Sequence, residues 1–402
     1  MTLARPGTPA RARRPATVRT SHAPLFERPC AAWYRLSTKL CILPSVNVAE
    51  ITSSTPPFCQ SLATTFHPYR RVKEGPMFNH ILVPLDGSAL AECVLPHVAA
   101  LAATFESRVT LLLVLEQRSS AGPMQAVDPL EWRFRKAEAE AYLAGLTDGL
   151  RRVGVHTESS LLEGQAADRI VAYARASDVD LLVLSSHGRS GLSPWNMSGV
   201  VQKILLRAHT STMIVRAYQP MTGRVASVRY RRLLVPLDGS QRAESVVPLA
   251  TTLARHHESQ LLIVHVARPP EMPRRAPSSE DLELANRLTE RNRQEAMRYL
   301  EYLQSHLPPE AEVRLLVGDD VAATLHELVE AEGIDLVMLC AHGYSGKNKW
   351  PYGSITSNFV AYGATPLLIV QDLSADEIEP TRAEVAAREH AQGTLVHDRA
   401  LR

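Results

Sequence analysis

The residues with the most chemical promise lie between Asp335 and Thr356. An apolar run there, Leu336 to Leu339, is short and bounded enough to be a buried parallel strand. Gly343 follows in a turn, and after nine further residues Gly353-Ser354 opens a helical pattern. This order suits a phosphate. Glycines let the backbone come close to a ligand. The Gly353 N–H and the Ser354 hydroxyl sit at a helix N-terminus, where free N–H groups and the helix dipole favour an anion. The design recurs upstream between Asp180 and Val200, with Gly188 in the turn and the terminal pair inverted to Ser198-Gly199. One phosphate site therefore reads as intact and its partner as altered.

Two aspartates accompany these loops. Asp86 and Asp238 each follow the first strand of a half, in the string Pro-Leu-Asp-Gly-Ser. Ligands of open α/β sheets bind at the carboxyl ends of the strands, where an Asp can accept a ribose hydroxyl or help hold Mg²⁺. The competing reading is turn chemistry, with Asp-Gly-Ser forming a tight turn and Ser88 or Ser240 capping the next helix. His187 and His342 precede the loop glycines, but neither half pairs a Ser or Cys nucleophile with an evident base and orienting acid. The expectation for both is packing or hydrogen bonding within the turn. Cys340 reads as a buried, inert thiol. Lys347 and Lys349 lie in the nine-residue loop, within reach of phosphate oxygens or simply solvated. The chain has no G-x-x-x-x-G-K-[ST] string and no G-x-G-x-x-G after either first strand, which disfavours a P-loop and a dinucleotide-binding dehydrogenase.

The elements that must position these residues come from a repeat of about 150 residues. HILVPLDGSALAECVLPHVAALA (80–102) matches RLLVPLDGSQRAESVVPLATTLA (232–254). Each half continues with a β-like run, a long helical stretch, a short strand, a helix, the glycine-bearing strand, another helix and a closing apolar strand. Strands alternating with helices predict a doubly wound parallel sheet. The fold class is therefore α/β: two tandem, five-stranded, Rossmann-like domains. The expected bounds are a disordered basic extension over 1–76, a first domain over 77–217, a linker over 218–230, a second domain over 231–372 and a polar tail over 373–402.

Residues 1–76 carry eleven Lys or Arg against three Glu, a balance of +8, so the remaining chain carries −6 and offers no basic field for nucleic acid. The leader reads as a disordered segment, with a transit peptide as second option. In a third reading Met77 is the natural first residue, because Lys73-Glu74-Gly75 can be encoded by a purine-rich, ribosome-binding type of sequence just before it. Five cysteines at 30, 41, 59, 93 and 340 form no C-x-x-C pair, which suits a reducing cytoplasm better than a zinc site or a disulfide framework. No apolar run reaches the roughly 18 residues of a membrane span.

The strings VPLDGS (twice), SSHGRSGL, CAHGYSGK, MIVR and LLIV resemble the universal stress proteins in their tandem two-domain form, over about 77–372. The nucleotide-binding pattern of that family, G-x2-G-x9-G-[ST], is met in the second half by Cys340, Gly343, Gly353 and Ser354, with Cys for the first glycine. In the first half it is met by Ser185, Gly188, Ser198 and Gly199, with the first glycine lost and the last pair inverted. The resemblance implies that Pro236, Asp238 and Val266 line the adenosine side of the second pocket, while Gly343, Gly353, Ser354 and Ile355 hold phosphates. Pro84, Asp86, Val114, Gly188, Gly199 and Val200 are the first-half counterparts. Asp238 is the candidate Mg²⁺ ligand. The resemblance further implies a pseudo-dimer formed through the last strands of the two halves. The expected function is that of a cytoplasmic stress-response protein binding ATP or AMP, chiefly in the second half, with a regulatory or sensing role and an unknown protein partner or homo-oligomer. A nucleotide-independent interaction protein and a slow ATP hydrolase are the alternatives; no catalytic residue is assigned.

Overall fold

The computed structural model describes residues 78–116, 129–189, 197–217, 227–272, 276–344 and 351–372. The expectations for 1–76, for Lys347 and Lys349 and for the tail beyond Asp372 fall outside these residues.

The first half builds β1 (His80–Leu85), β2 (Arg108–Leu115), β3 (Thr157–Glu163), β4 (Leu181–Ser185) and β5 (Ser211–Val215). The second builds β6 (Arg232–Pro236), β7 (Gln260–Ala267), β8 (Glu312–Val317), β9 (Leu336–Cys340) and β10 (Leu367–Val370). Strands within a half pair in parallel, and the halves meet where β5 and β10 pair antiparallel, with Met213 opposite Leu368. A single ten-stranded sheet results, in the order β3-β2-β1-β4-β5-β10-β9-β6-β7-β8. Because the central pair is antiparallel, the carboxyl ends of the two halves' strands lie at opposite edges of the sheet.

The central strands are largely apolar because both faces are covered. Ile81, Val83 and Leu85 pack into one core with α1 (Leu95–Phe105), α2 (Pro129–Arg152), α6 (Val247–His257) and α7 (Ser279–Gln304). Leu82, Leu182 and Leu184 face the other, with α3 (Ala166–Ala176), α4 (Gly199–Arg207), α8 (Val321–Glu332) and α9 (Ser354–Tyr362). The short α5 (Gln241–Glu244) follows β6. Helix ends follow local chemistry. Glu106 ends α1 in the left-handed region, and Ser278 with Asp281 forms a capping box at the start of α7.

Several polar contacts join the halves on both sides of the sheet. The Arg216 guanidinium, 8% exposed, donates to the Phe359 and Val360 carbonyls at 3.1 and 2.7 Å, supplying a cation to the carboxyl end of α9. On the opposite face, His97 Nδ1 lies 2.8 Å from the hydroxyl of fully buried Tyr230. Thr104 of α1 meets His257 of α6 at 3.3 Å.

Candidate functional site

At the carboxyl end of the first-half strands, a cavity of about 410 Å³ opens between β1, β2, β4 and the start of α4. Its size is that of a small-molecule site. Pro84, Asp86, Val114, Gly188 and Val200 all line it, so five of the six first-half candidates converge on one space. Gly199, the first residue of α4, is not among the lining residues.

Asp86 clasps the two loops that frame this space. One carboxylate oxygen accepts the Ser88 N–H at 3.0 Å and the Ser88 hydroxyl at 2.6 Å. The other accepts the Arg189 N–H at 2.5 Å. The second half repeats the clasp: Asp238 takes the Ser240 N–H at 3.0 Å, the Ser240 hydroxyl at 2.6 Å and the Tyr344 N–H at 2.6 Å. The clasp explains the loop glycines. A Cβ on Gly188 would stand 2.0 Å from Asp86 Oδ2, and one on Gly343 would stand 2.0 Å from Asp238 Oδ2. Sequence spacing ties these glycines to ligand approach; the fold adds a protein reason, the close approach of the aspartate. The turn chemistry is present as well, with Ser88 and Ser240 accepting the Ala91 and Ala243 N–H groups at 3.2 Å.

The clasp bears on magnesium. Asp238 already accepts three protein donors, about three of its four lone-pair directions. Among the described residues no group of three or more His, Cys, Asp or Glu side chains could hold a metal ion. The protein alone thus offers no Mg²⁺ cage among the described residues, and an ion at Asp238 would take its remaining ligands from water and from a phosphate.

Where each loop meets its helix, the halves differ. Ser198 and Gly353 occupy the same place, each donating its N–H back to the residue after the strand: Ser198 to Ser186 O at 2.9 Å, Gly353 to Ala341 O at 2.7 Å. Both are N-caps with extended backbone. The Ser198 hydroxyl accepts the Val201 N–H at 3.3 Å, so α4 is capped by its own chain. Gly353 caps α9 without a side-chain bond, and Ser354 carries its hydroxyl one position later, as the first helical residue. The first-turn N–H groups of α9 thus meet no capping side chain, which is the arrangement that receives an anion. Pro236 and Val266, at the ends of β6 and within β7, hold the positions of Pro84 and Val114 in the repeat.

The histidines part company. His187 Nδ1 meets the Ser186 hydroxyl at 3.0 Å, within its own turn. His342 is buried, as a packing residue is expected to be, and its Nδ1 pairs at 2.8 Å with the equally buried side chain of Asp372, thirty residues on, a partner beyond its own turn. The thiol of Cys340 is pushed up to about 12 by burial, first of all, and then by the charge of Asp372. Cys93 rises to about 11, also through burial. Both behave as packing groups. They trade places with serines between the halves: Ser245 donates to Cys340 at 3.7 Å, and Cys93 stands beside Ser185.

Sequence reasoning passed over further residues at this end of the sheet. Glu116 and Arg135 line the first cavity, Glu116 accepting the Ala166 N–H at the start of α3 at 2.8 Å. Glu244 lies beside Tyr299, and its acidity is weakened chiefly by burial. Glu92 and Tyr142 form the matching pair in the first half, where burial, followed by the charge of Glu92, raises the tyrosine. Superposing the two repeats as strings would have flagged Glu92 and Glu244, which stand at the same place in Ala-Glu-Cys and Ala-Glu-Ser. His265 lies where the first half has Leu113; burial lowers its affinity for protons, and its Nδ1 sits 2.9 Å from Leu237 O.

The universal stress protein family model matches residues 77–216 and 229–371. Universal stress protein MJ0531 of Methanocaldococcus jannaschii is 25% identical over 141 residues, covering 35% of this chain and 83% of that protein. MJ0577 of the same organism is 24% identical over 155 residues, covering 35% of this chain and 96% of that protein. Among solved structures, a universal stress protein of Archaeoglobus fulgidus matches 73% of this chain and 99% of its own, with a TM-score of 0.51 and 16% identity. That last likeness concerns the fold alone. No helix among the described residues is long and apolar enough to cross a membrane.

Proposed function

The chain belongs to the universal stress protein family, and from that premise we propose that it binds an adenine nucleotide, ATP or AMP. The second half is the stronger site, and occupancy serves regulation or sensing in the cytoplasm, not turnover. The observation that carries the reading is the convergence of Pro84, Asp86, Val114, Gly188 and Val200 on one cavity of about 410 Å³ at the carboxyl ends of the strands. In each half the Asp clasp fixes the loop after the first strand against the glycine loop, so the walls are set before a ligand arrives. The apolar side, Pro84 with Val114 or Pro236 with Val266, receives the adenosine. The helix N-terminus receives the phosphates.

The preference for the second half rests on capping. A phosphate at α4 competes with the Ser198 hydroxyl for the Val201 N–H, whereas α9 presents its first-turn donors with no capping side chain. A hydrogen bond to a charged group is worth about 1.5–3 kcal/mol, so this one difference is enough to separate the two affinities roughly tenfold or more.

The test is to denature protein purified from cells, identify released nucleotides by mass spectrometry and count them per chain. About one ATP or AMP per chain supports a single strong pocket; about two means that the first-half cap is no obstacle. None, together with no binding of ATP or AMP in titration, overturns the reading in favour of a nucleotide-independent interaction protein.

A further inference from the structure

The long helix α2 turns one face away from the two cores, and the described residues do not explain that face's composition. Trp132 packs against the core, and Ala139, Leu143 and Leu150 are buried in it. On the opposite side Leu130 and Phe134 are each 72% exposed. Ala141 and Gly145 share that side. Phe134 and Gly145 are eleven residues apart, three turns at 3.6 residues each, so they fall within about 20° of one line along the helix. Leu130 and Ala141 repeat the same spacing. A large apolar pair, Leu130 and Phe134, thus lies on one helix face with a small pair, Ala141 and Gly145.

Gly145 is the anomaly. A glycine in a helix interior costs about 1 kcal/mol relative to alanine. Nothing among the described residues requires it: a Cβ built there meets none of their atoms within 4 Å, and its φ is not positive. The gap is open space on the surface, one side chain deep and three turns from an exposed phenylalanine.

We propose that this face of α2 is the seat of a second copy of the chain, related by a two-fold axis that passes between the paired α2 helices at the level of Glu140. In an antiparallel pair of α2 helices about that axis, Phe134 of each copy enters the gap at the partner's Gly145, and Leu130 lies toward the partner's Gly149. The same pairing sets Arg133 beside the partner's Asp148, twice by symmetry. Both residues are exposed, and neither makes an ion pair within the chain among the described residues. Shape and charge are therefore self-complementary, as an isologous interface requires. The surface is separate from the β5–β10 seam, which already joins the halves, and from the nucleotide cavity. One helix seam, about 30 Å long and 10 Å wide, falls short of the roughly 800 Å² per partner of a stable dimer. The association is correspondingly weak, with a dissociation constant of about 10–1000 μM.

Sedimentation equilibrium of the full chain across that concentration range tests it. The parent's average mass rises towards that of a dimer. Phe134→Glu weakens association about tenfold or more, and so does Gly145→Leu, which closes the gap. Gly145→Leu fills open space with a better helix former, so its melting temperature holds or rises while its self-association falls. Arg133→Asp weakens association, and Arg133→Asp with Asp148→Arg restores it. A parent that stays monomeric throughout overturns the proposal. Self-association indifferent to Phe134→Glu or to Gly145→Leu overturns it equally, because another surface or another occupant is then responsible.

Discussion

Replacing Gly188 by alanine puts a Cβ 2.0 Å from Asp86 Oδ2, 2.8 Å from its Cγ and 3.3 Å from its Oδ1. The loop cannot simply step back, because the next residue, Arg189, donates its N–H to the same carboxylate at 2.5 Å. The carboxylate must leave, forfeiting that bond and straining the two from Ser88. One hydrogen bond to a charged acceptor is worth about 1.5–3 kcal/mol, and the half-buried Asp86 recovers part of this from water, so the expected loss is about 2 kcal/mol. The decisive assay is a double-mutant cycle with Asp86→Ala, read from the midpoints of urea unfolding curves of unchanged slope. Without the carboxylate the new methyl meets nothing that close, and Gly188→Ala should then cost less than about 0.5 kcal/mol. The coupling expected is about 1.5–2 kcal/mol. Additive costs, agreeing within about 0.5 kcal/mol, would refute the claim that the glycine exists to admit the aspartate. Gly343→Ala with Asp238→Ala repeats the experiment in the second half, where the Cβ contact is also 2.0 Å.

Three further outcomes follow from the same geometry. Gly353→Ala places its Cβ 3.6 Å or more from protein atoms and so leaves the fold intact; it should nonetheless weaken ATP or AMP binding, measured by calorimetric titration, more than Gly199→Ala does, whose Cβ meets nothing within 4 Å. Burial lowers the His97 pKa to about 4, below its ordinary 6.5, and the buried neutral form therefore contributes stability fully present above pH 6.5. That contribution is lost as pH falls from 6.5 towards 4, by at most about 3 kcal/mol, so the melting temperature should drop across this window and His97→Gln should flatten the decline. Burial, then the neighbouring His256 charge, lowers His257 too, and its contribution changes with pH in the same sense. Arg216→Ala removes two bonds to the α9 carbonyls across the junction of the halves and should cost about 2–4 kcal/mol, with faster amide exchange near Val360 as the local readout.

The strands and helices were legible because their signals are local. Apolar runs such as Ile81–Val83 and Leu336–Leu339 are continuous because both sheet faces are covered, and the two-fold recurrence of VPLDGS announced the duplication. The candidate residues at the strand ends were legible for the same reason, since Pro84, Asp86 and Gly188 stand at element boundaries that the pattern itself marks. Glu116, Arg135, His265 and the Glu244–Tyr299 pair were not, because a polar residue on a helix or strand carries no sign of which end of the sheet it will face. The partner of His342 was hidden too: Asp372 lies thirty residues away, and only the pairing of β9 with β10 brings it alongside.

The sequence by itself determined the number of halves, the order of elements in each and the two loops that differ, because periodicity, turn residues and repetition act over a few neighbours at a time. Tertiary structure alone decided that the loop glycines stand against aspartate carboxylates, that Ser198 caps its own helix while Gly353 leaves α9 without a side-chain cap, and that β5 and β10 run antiparallel so that the two sites lie at opposite sheet edges. The aspartate contacts and the β5–β10 pairing join residues about a hundred or more positions apart, fixed only when the apolar faces close on a single sheet; the Ser198 cap reaches only to Val201, but its loop is held by the Ser198 N–H on Ser186 O at the end of β4.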